Sequence, residues 1–313
     1  MSKSRGNKIV VIGAGNVGEA VSYTLMAKKQ VSEIVMIDIE EGRARGCALD
    51  ISHGTSFFHQ TNVVSGGYEE CADADIIIVT AGIARKPGQT RLELAQTNVS
   101  IGRSIARSIM EYAKNPLIIV VSNPVDILTR AICEEAGLPA SRVISSGTSL
   151  DTARLKYLIG QKCGVNVCDV NAYVLGEHGD SQVPMWSTAN IGGEKVLDYL
   201  RKNDPAVDMD AIAKEAKVSG AEIISLKGAT FYGVAMAVAR IVDAIIRDEN
   251  AVLSVGHVLG EAYGEWAGVA FSLPCVVNGE GIARVIDISM DEKEKQAMDH
   301  SANTLREFWE NIK

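Results

Sequence analysis

Ile9-Val10-Val11-Ile12 runs without a break into Gly13-Ala14-Gly15-Asn16-Val17-Gly18, and helix-compatible residues follow from Glu19 to Lys28. Few arrangements satisfy that order. A short β-branched run, a glycine turn and a helix make the first half of a strand-turn-helix unit, and G-x-G-x-x-G between strand and helix is the form in which the motif has a mechanism. Gly13 permits the tight turn, Gly15 lets a pyrophosphate approach the backbone, and Gly18 lets the helix pack closely on the strand. The helix N-terminus, with Asn16 and Val17 in its first turn, offers N–H groups and partial positive charge to phosphates. A second apolar run, Ile34 to Ile37, ends at Asp38, about twenty residues after the last glycine, where a carboxylate would accept two ribose hydroxyls and repel a 2′-phosphate. The expected cofactor is therefore NAD rather than NADP.

Ala74 to Thr80 and Pro116 to Ser122 are near-continuous apolar runs, as expected of parallel strands covered on both faces. Between them, Leu94, Val99, Ile101, Ile105 and Ile109 mark a long helix over 91–114. Strands and helices alternating in this way predict an α/β Rossmann fold with a doubly wound parallel sheet. Ligand-contacting residues should lie at the carboxyl ends of the strands. The candidates there are the loop after Thr80 (Ala81, Gly82 and beyond), Asn123 after Ser122, and Gly147-Thr148-Ser149 after Val143 to Ser145. Beyond Ser149 the pattern changes to helices over 208–226 and 232–248 and strand-like runs at 170–175, 268–277 and 283–288, with a closing amphipathic helix over 291–312. This predicts an NAD-binding domain over residues 1–148 and a catalytic α+β domain over 149–313, joined without a linker.

Charge and cysteine usage exclude several classes. A net charge of −8 lacks the basic excess that a nucleic-acid surface needs. The basic start is followed by only four apolar residues before glycine intervenes, so neither a signal peptide nor a membrane span is expected, and a cytoplasmic location follows by default. Cys47, Cys71, Cys133, Cys163, Cys168 and Cys275 show no C-x-x-C pair or zinc spacing. They read as small core residues with no disulfide or metal site.

Two stretches carry candidate chemistry. Gly82 to Arg91, G-I-A-R-K-P-G-Q-T-R, crowds Arg85, Lys86 and Arg91 into a loop broken by glycine and proline, suited to closing over an anion. Of the five histidines, His178 stands out in Gly176-Glu177-His178-Gly179-Asp180-Ser181, where flanking glycines leave the imidazole room to meet a ligand. His53 reads as a local hydrogen-bonding residue after a helix, and His59, His257 and His300 as surface or packing residues.

The motifs G-A-G-N-V-G, A-G-I-A-R-K-P-G-Q-T-R-L-E-L, V-S-N-P-V-D, S-G-T-S-L-D-T-A-R, G-E-H-G-D-S-Q-V-P and K-G-A-T-F-Y-G occur in order along essentially the whole chain. In this the sequence resembles the lactate and malate dehydrogenase family. The resemblance implies reversible hydride transfer between NADH and a small 2-keto acid, with His178 giving and taking the proton. It implies that Asp151 orients the imidazole, Arg154 grips the substrate carboxylate, and Arg91 polarises the carbonyl once the loop closes. Asn123 would bond near the carbonyl and the nicotinamide, and Thr230 would line the side-chain pocket. A homo-oligomer, tetramer or dimer, is also implied.

Most of the framework has lactate-branch phrasing, but the discriminating position does not. Six residues before Arg91, lactate dehydrogenases carry glutamine and malate dehydrogenases arginine, and here the residue is Arg85. A guanidinium facing the third carbon of the substrate would pair with the carboxylate of oxaloacetate and be left without a partner by the methyl of pyruvate. The expectation from Arg85 is L-malate and oxaloacetate, with L-lactate and pyruvate as the alternative. Allosteric bacterial members carry arginine and histidine where this chain has Lys156 and Asn171, implying weak or absent activation by fructose 1,6-bisphosphate. A non-catalytic nucleotide-binding module would have no use for Asp151, Arg154 and His178 together. Other Rossmann dehydrogenases show a Tyr-x-x-x-Lys pair or zinc ligands instead of two carboxylate-gripping arginines.

Overall fold

A computed structural model gives the protein over residues 7–29, 31–58, 60–83, 88 and 90–312, with Arg91 and Asn203 described in backbone only. Arg85, Lys86 and His59, singled out above, lie outside the described residues, as does the side chain of Arg91.

The first six strands are β1 (Lys8–Ile12), β2 (Glu33–Ile37), β3 (Asn62–Ser65), β4 (Ile76–Val79), β5 (Ile118–Val120) and β6 (Val143–Ser145). Each pairs in parallel with its neighbours in the order β6-β5-β4-β1-β2-β3. Helices α1 (Asn16–Ala27), α2 (Glu41–Gly54), α3 (Arg91–Tyr112) and α4 (Val125–Ala136) connect them. β1 and β4 are buried along their whole length, which is why their sequences read as unbroken apolar runs; each such side chain contributes about 1.5–3 kcal/mol. The strand order reverses between β1 and β4, and a crevice opens there beyond their carboxyl ends.

The second half holds α5 (Ser149–Cys163), the two-residue strands β7 (Val170–Asn171), β8 (Val174–Leu175), β9 (Val183–Pro184), β10 (Asn190–Ile191) and β11 (Glu194–Lys195), then α6 (Val196–Asn203), α7 (Met209–Lys227), α8 (Tyr232–Ile246), β12 (Ala251–Val258), β13 (Ala270–Asn278), β14 (Gly281–Val285) and α9 (Glu292–Glu310). The antiparallel strands β12, β13 and β14 continue the parallel sheet, because Gly256 pairs with Ser145 at its edge. One sheet therefore runs through both halves of the sequence.

Several local expectations need correction. The run 170–175 is two short strands, because β7 pairs with β10 while β8 pairs with β9. β3 and β12 carry no strong alternation and were not anticipated. His53 lies within the last turn of α2 rather than beyond it. Cys168 is exposed, on a 3₁₀ turn over Val167–Asp169, so it is not a core residue. No helix among the described residues is long and apolar enough to cross a membrane.

His257, on β12, is 6% exposed, and burial pushes its imidazole down to about 4 from the ordinary 6.5. A base whose folded pKa is depressed binds fewer protons in the native state, so stability is lost as pH falls from about 6.5 toward about 4. The loss from this residue is about 3 kcal/mol. His257→Asn is expected to flatten the pH dependence of urea unfolding over that window by this amount, at fixed chain concentration.

Candidate active site

Gly13 sits at φ 106°, and a Cβ there would lie 2.6 Å from the amide nitrogen of Ala81. A Cβ on Gly18 would lie 1.8 Å from the carbonyl oxygen of Gly13, so α1 can pack on β1 only through glycine. Gly15, by contrast, faces open space within 4 Å, leaving the start of α1 accessible to a phosphate. Asp38, at the carboxyl end of β2, accepts from the amides of Ala14 (2.7 Å) and Glu40 (3.0 Å). Thr80 Oγ1 donates to the Gly13 carbonyl at 2.9 Å, and Ser122 Oγ to that of Ala81 at 2.6 Å. Gly82 follows at the same rim. Turn, open cradle and carboxylate sit at the carboxyl ends of adjacent strands and fit a dinucleotide. Asn16 instead lines a neighbouring recess with Glu19, Tyr23, Phe231 and Tyr232.

A cavity of about 270 Å³ lies beside this cradle, lined by Val17 and Asn123 from the first half and by Asp151, Arg154, His178 and Thr230 from the second. The catalytic and substrate candidates with described side chains thus meet in one place. Asn123 ends the segment after β5 through a cis peptide to Pro124. Asp151 and Arg154 stand one turn apart on α5, and His178 follows β8 through Gly176 in the left-handed region (φ 83°). The hydroxyls of Thr148 and Ser149 serve packing instead, donating to the carbonyls of Val174 and Ser254.

Asp151, 2% exposed, holds both cations: its Oδ2 lies 2.6 Å from His178 Nδ1, and its Oδ1 accepts from Arg154 at 3.0 Å. Burial alone would raise the Asp151 carboxyl, but His178 and Arg154 outweigh it and hold it below the ordinary range. Burial alone would lower the His178 imidazole, but the Asp151 carboxylate, with Asp126 adding, holds it above the ordinary value against Arg154. A ring nitrogen facing a carboxylate carries the proton, so Nδ1 donates to Asp151 and Nε2 is left for the cavity. Such an imidazole can pass a proton to an oxygen in the cavity and take it back.

The loop candidate is fixed at one end. Thr90 and Glu93 form a capping box, with the Glu93 amide donating to Thr90 Oγ1 at 3.1 Å and the Thr90 amide to Glu93 Oε2 at 2.8 Å, so α3 starts at Arg91.

Three residues near the site were missed in the sequence. Asn98, 2% exposed on α3, donates to the carbonyls of Asn123 (2.9 Å) and Ile83 (3.3 Å) and accepts from the Ile83 amide (2.9 Å). The signal was present, since Asn98 interrupts the apolar face of Leu94, Ile101 and Ile105. Lys217 on α7 lines the cavity and bonds the carbonyl of Asp180. Asp126 accepts from the His178 amide. Lys217 sits in no motif that marks it, and Asp126, which closes V-S-N-P-V-D, is given no role by that motif.

Residues 7–145 match the lactate/malate dehydrogenase NAD binding domain, and residues 148–313 match the lactate/malate dehydrogenase alpha/beta C-terminal domain. The chain belongs to the lactate/malate dehydrogenase family. It is an NAD-dependent dehydrogenase acting on small keto or hydroxy acids. Among its relatives, L-lactate dehydrogenase of Geobacillus thermodenitrificans is 41% identical, over 98% of this chain and 97% of that one, and that of Geobacillus kaustophilus is 42% identical over 98% and 97%. Among solved structures, a lactate dehydrogenase from a Medee basin deep-sea metagenome library superposes with a TM-score of 0.95 at 38% identity, covering 98% of this chain and 99% of that one. The minor L-lactate dehydrogenase of Enterococcus mundtii gives 0.94 at 39% identity, with 98% of each chain covered. Among the described residues of this dehydrogenase, no group of three or more His, Cys, Asp or Glu is placed to hold a metal ion.

Proposed function

We propose that this dehydrogenase interconverts pyruvate and L-lactate, with His178 as the proton donor and acceptor. The observation that carries the chemistry is the buried His178–Asp151–Arg154 chain opening on the cavity beside the dinucleotide cradle. The relatives' names favour the lactate pair. NADH, when bound, supplies the hydride. The chain's own residues do the rest. Gly13, Gly15, Gly18 and Asp38 hold the dinucleotide, with Thr80, Ala81 and Gly82 at its rim. Arg154 binds the substrate carboxylate, and Arg91 polarises the carbonyl. Asn123 hydrogen-bonds the carbonyl region, and Thr230 borders the substrate side chain. Protonated His178 delivers the proton to the carbonyl oxygen, and Asp151 stabilises its charged form. Residues 1–148 serve the cofactor and 149–313 supply most groups for the substrate, a division supported by the ranges of the two domain matches.

A second reading, oxaloacetate and L-malate, is favoured by Arg85 alone. The test is kcat/KM for NADH-dependent reduction of pyruvate and of oxaloacetate at one pH. A higher value for pyruvate supports the lactate reading, a higher value for oxaloacetate the malate reading, and no reduction of either sinks both.

We place the enzyme in the cytoplasm as a homo-oligomer. Tyr23, Leu49, Phe57, Tyr232 and Met236 are exposed large apolar side chains that a second copy would cover; sedimentation equilibrium reads the assembly. With Lys156 and Asn171 lining one recess, fructose 1,6-bisphosphate is expected to raise kcat/KM little or not at all, and a large rise on its addition would refute this.

A further inference from the structure

The wall that α7 gives to the cavity has a gap. Lys217, Gly220 and Ile224 turn one face of the helix to the cavity, and the middle residue has no side chain. Its backbone is helical and outside the left-handed region, so no turn or strained φ calls for glycine there. In the interior of a helix glycine is less favourable than alanine. What the position has instead is a close neighbour. A Cβ on Gly220 would lie 3.1 Å from Arg154 Nη2, 3.4 Å from Nη1 and 3.5 Å from Cζ, so its three nearest atoms all belong to one guanidinium. Along α5, the same Nη1 donates to Asp151 Oδ1 at 3.0 Å, and Asp151 is held in turn by His178 Nδ1 at 2.6 Å. The two helices are not free to draw apart, because Leu155 and Ile159 of α5 are buried in one cluster with Ile212 and Ala216 of α7. Lys217 adds a tie, its Nζ donating to the carbonyl of Asp180, two residues past His178. A methyl group at 220 would therefore displace the guanidinium, the far end of a flexible side chain, by a few tenths of an Å.

We propose that Gly220 is a positioning residue for Arg154, its missing side chain setting where the guanidinium stands between α5 and α7 and so where the substrate carboxylate binds. The inference rests on Arg154 being the partner of that carboxylate. A planar guanidinium meets a carboxylate through two parallel hydrogen bonds, and such a pair tolerates little displacement. α7 gives up some helix stability for this seat. Every 2-keto acid carries the same carboxylate beside its carbonyl, so the effect of Gly220 falls alike on all of them. A residue facing the third carbon, where pyruvate and oxaloacetate differ, would instead separate them.

The experiment compares the full chain carrying Gly220→Ala with the wild type and with Arg154→Gln. It measures reduction of pyruvate and of oxaloacetate, inhibition by oxamate, which carries the same carboxylate beside an amide, and thermal melting at fixed chain concentration. In Gly220→Ala, KM for both keto acids and the inhibition constant for oxamate are expected to rise together by about 10-fold. kcat should stay within about threefold and NADH affinity should be unchanged, the pattern of an interaction made equally in the ground and transition states. The melting temperature is expected to equal or exceed that of the wild type, since alanine favours the helix. A merely structural glycine would give the reverse, a lower melting temperature with wild-type KM values. Wild-type KM values overturn the proposal. So does a variant that melts lower or does not fold, because the guanidinium was then not free to give way. A rise confined to one keto acid also overturns it, since the residue would then act on the substrate's side chain. An Arg154→Gln enzyme with unchanged KM would sink the assignment of Arg154 itself. That result differs from a Gly220→Ala enzyme of wild-type KM beside an Arg154→Gln enzyme that has lost keto-acid binding, which counts against Gly220 alone.

Discussion

His178→Asn is expected to lower kcat for keto-acid reduction by about 10³-fold while leaving NADH affinity within about twofold of the wild type. The reasoning is local. Nδ1 is committed to Asp151 at 2.6 Å, so proton transfer falls to Nε2, and an asparagine amide keeps a donor without acidity near neutrality. The cradle of Gly13, Gly15 and Gly18 is untouched by the change. The imidazole is held above its ordinary value, first against burial and then by Asp151 and Asp126. Reduction, which needs the charged ring, should hold through neutrality and fall on the alkaline side; oxidation, which needs the neutral ring, should rise there. Steady-state kinetics in both directions with an NADH fluorescence titration check all of this. A variant retaining a tenth of the wild-type kcat would remove His178 from the proton path.

Arg85→Gln is expected to raise the ratio of kcat/KM for pyruvate over that for oxaloacetate by about 100-fold, whichever keto acid the wild type prefers. The substrate's third carbon carries a methyl group in one case and a carboxylate in the other. In a site closed from water, a guanidinium gains a charge-assisted pair with the second and pays desolvation without return for the first. Glutamine removes both effects, so the ratio should move even where the individual constants change little. Arg85 lies outside the described residues, and its place rests on standing six residues before Arg91, where the capped start of α3 anchors the loop. A ratio unchanged in Arg85→Gln would show that the side chain does not reach the substrate, and the malate reading would then have no support.

These two experiments probe residues of different legibility. The cradle could be read directly, because its requirements are local. Only glycine fits where a Cβ would strike the Gly13 carbonyl, and β1 and β4 are covered on both faces and so must be apolar throughout. Asp151 and Arg154 could be placed together because three residues of helix bring them to one face. His178 could be singled out by its flanking glycines. The short strands β7 to β11 were not separable, because two-residue ladders leave no alternation to read. β12 was not anticipated as the strand that joins the parallel sheet, since its partnership depends on Gly256 meeting Ser145 at an edge. Thr148 and Ser149 stood at the end of β6 where ligand contacts are expected, yet the arrival of β8 and β12 claimed their hydroxyls for backbone carbonyls.

By itself the sequence determined the strand-turn-helix cradle, the acidic end of β2, the burial of the central strands and the residue types able to bind a keto acid, since each follows from contacts within a few positions or from one repeating pattern. The tertiary structure alone decided that Asp151 and His178, 27 positions apart, stand 2.6 Å from each other, that Asn98 pins the segments bearing Ile83 and Asn123, and that Asp126 reaches the main chain of the histidine. Those distances depend on how separate elements pack around one sheet, and no periodicity along the chain records which buried carboxyl will face which ring.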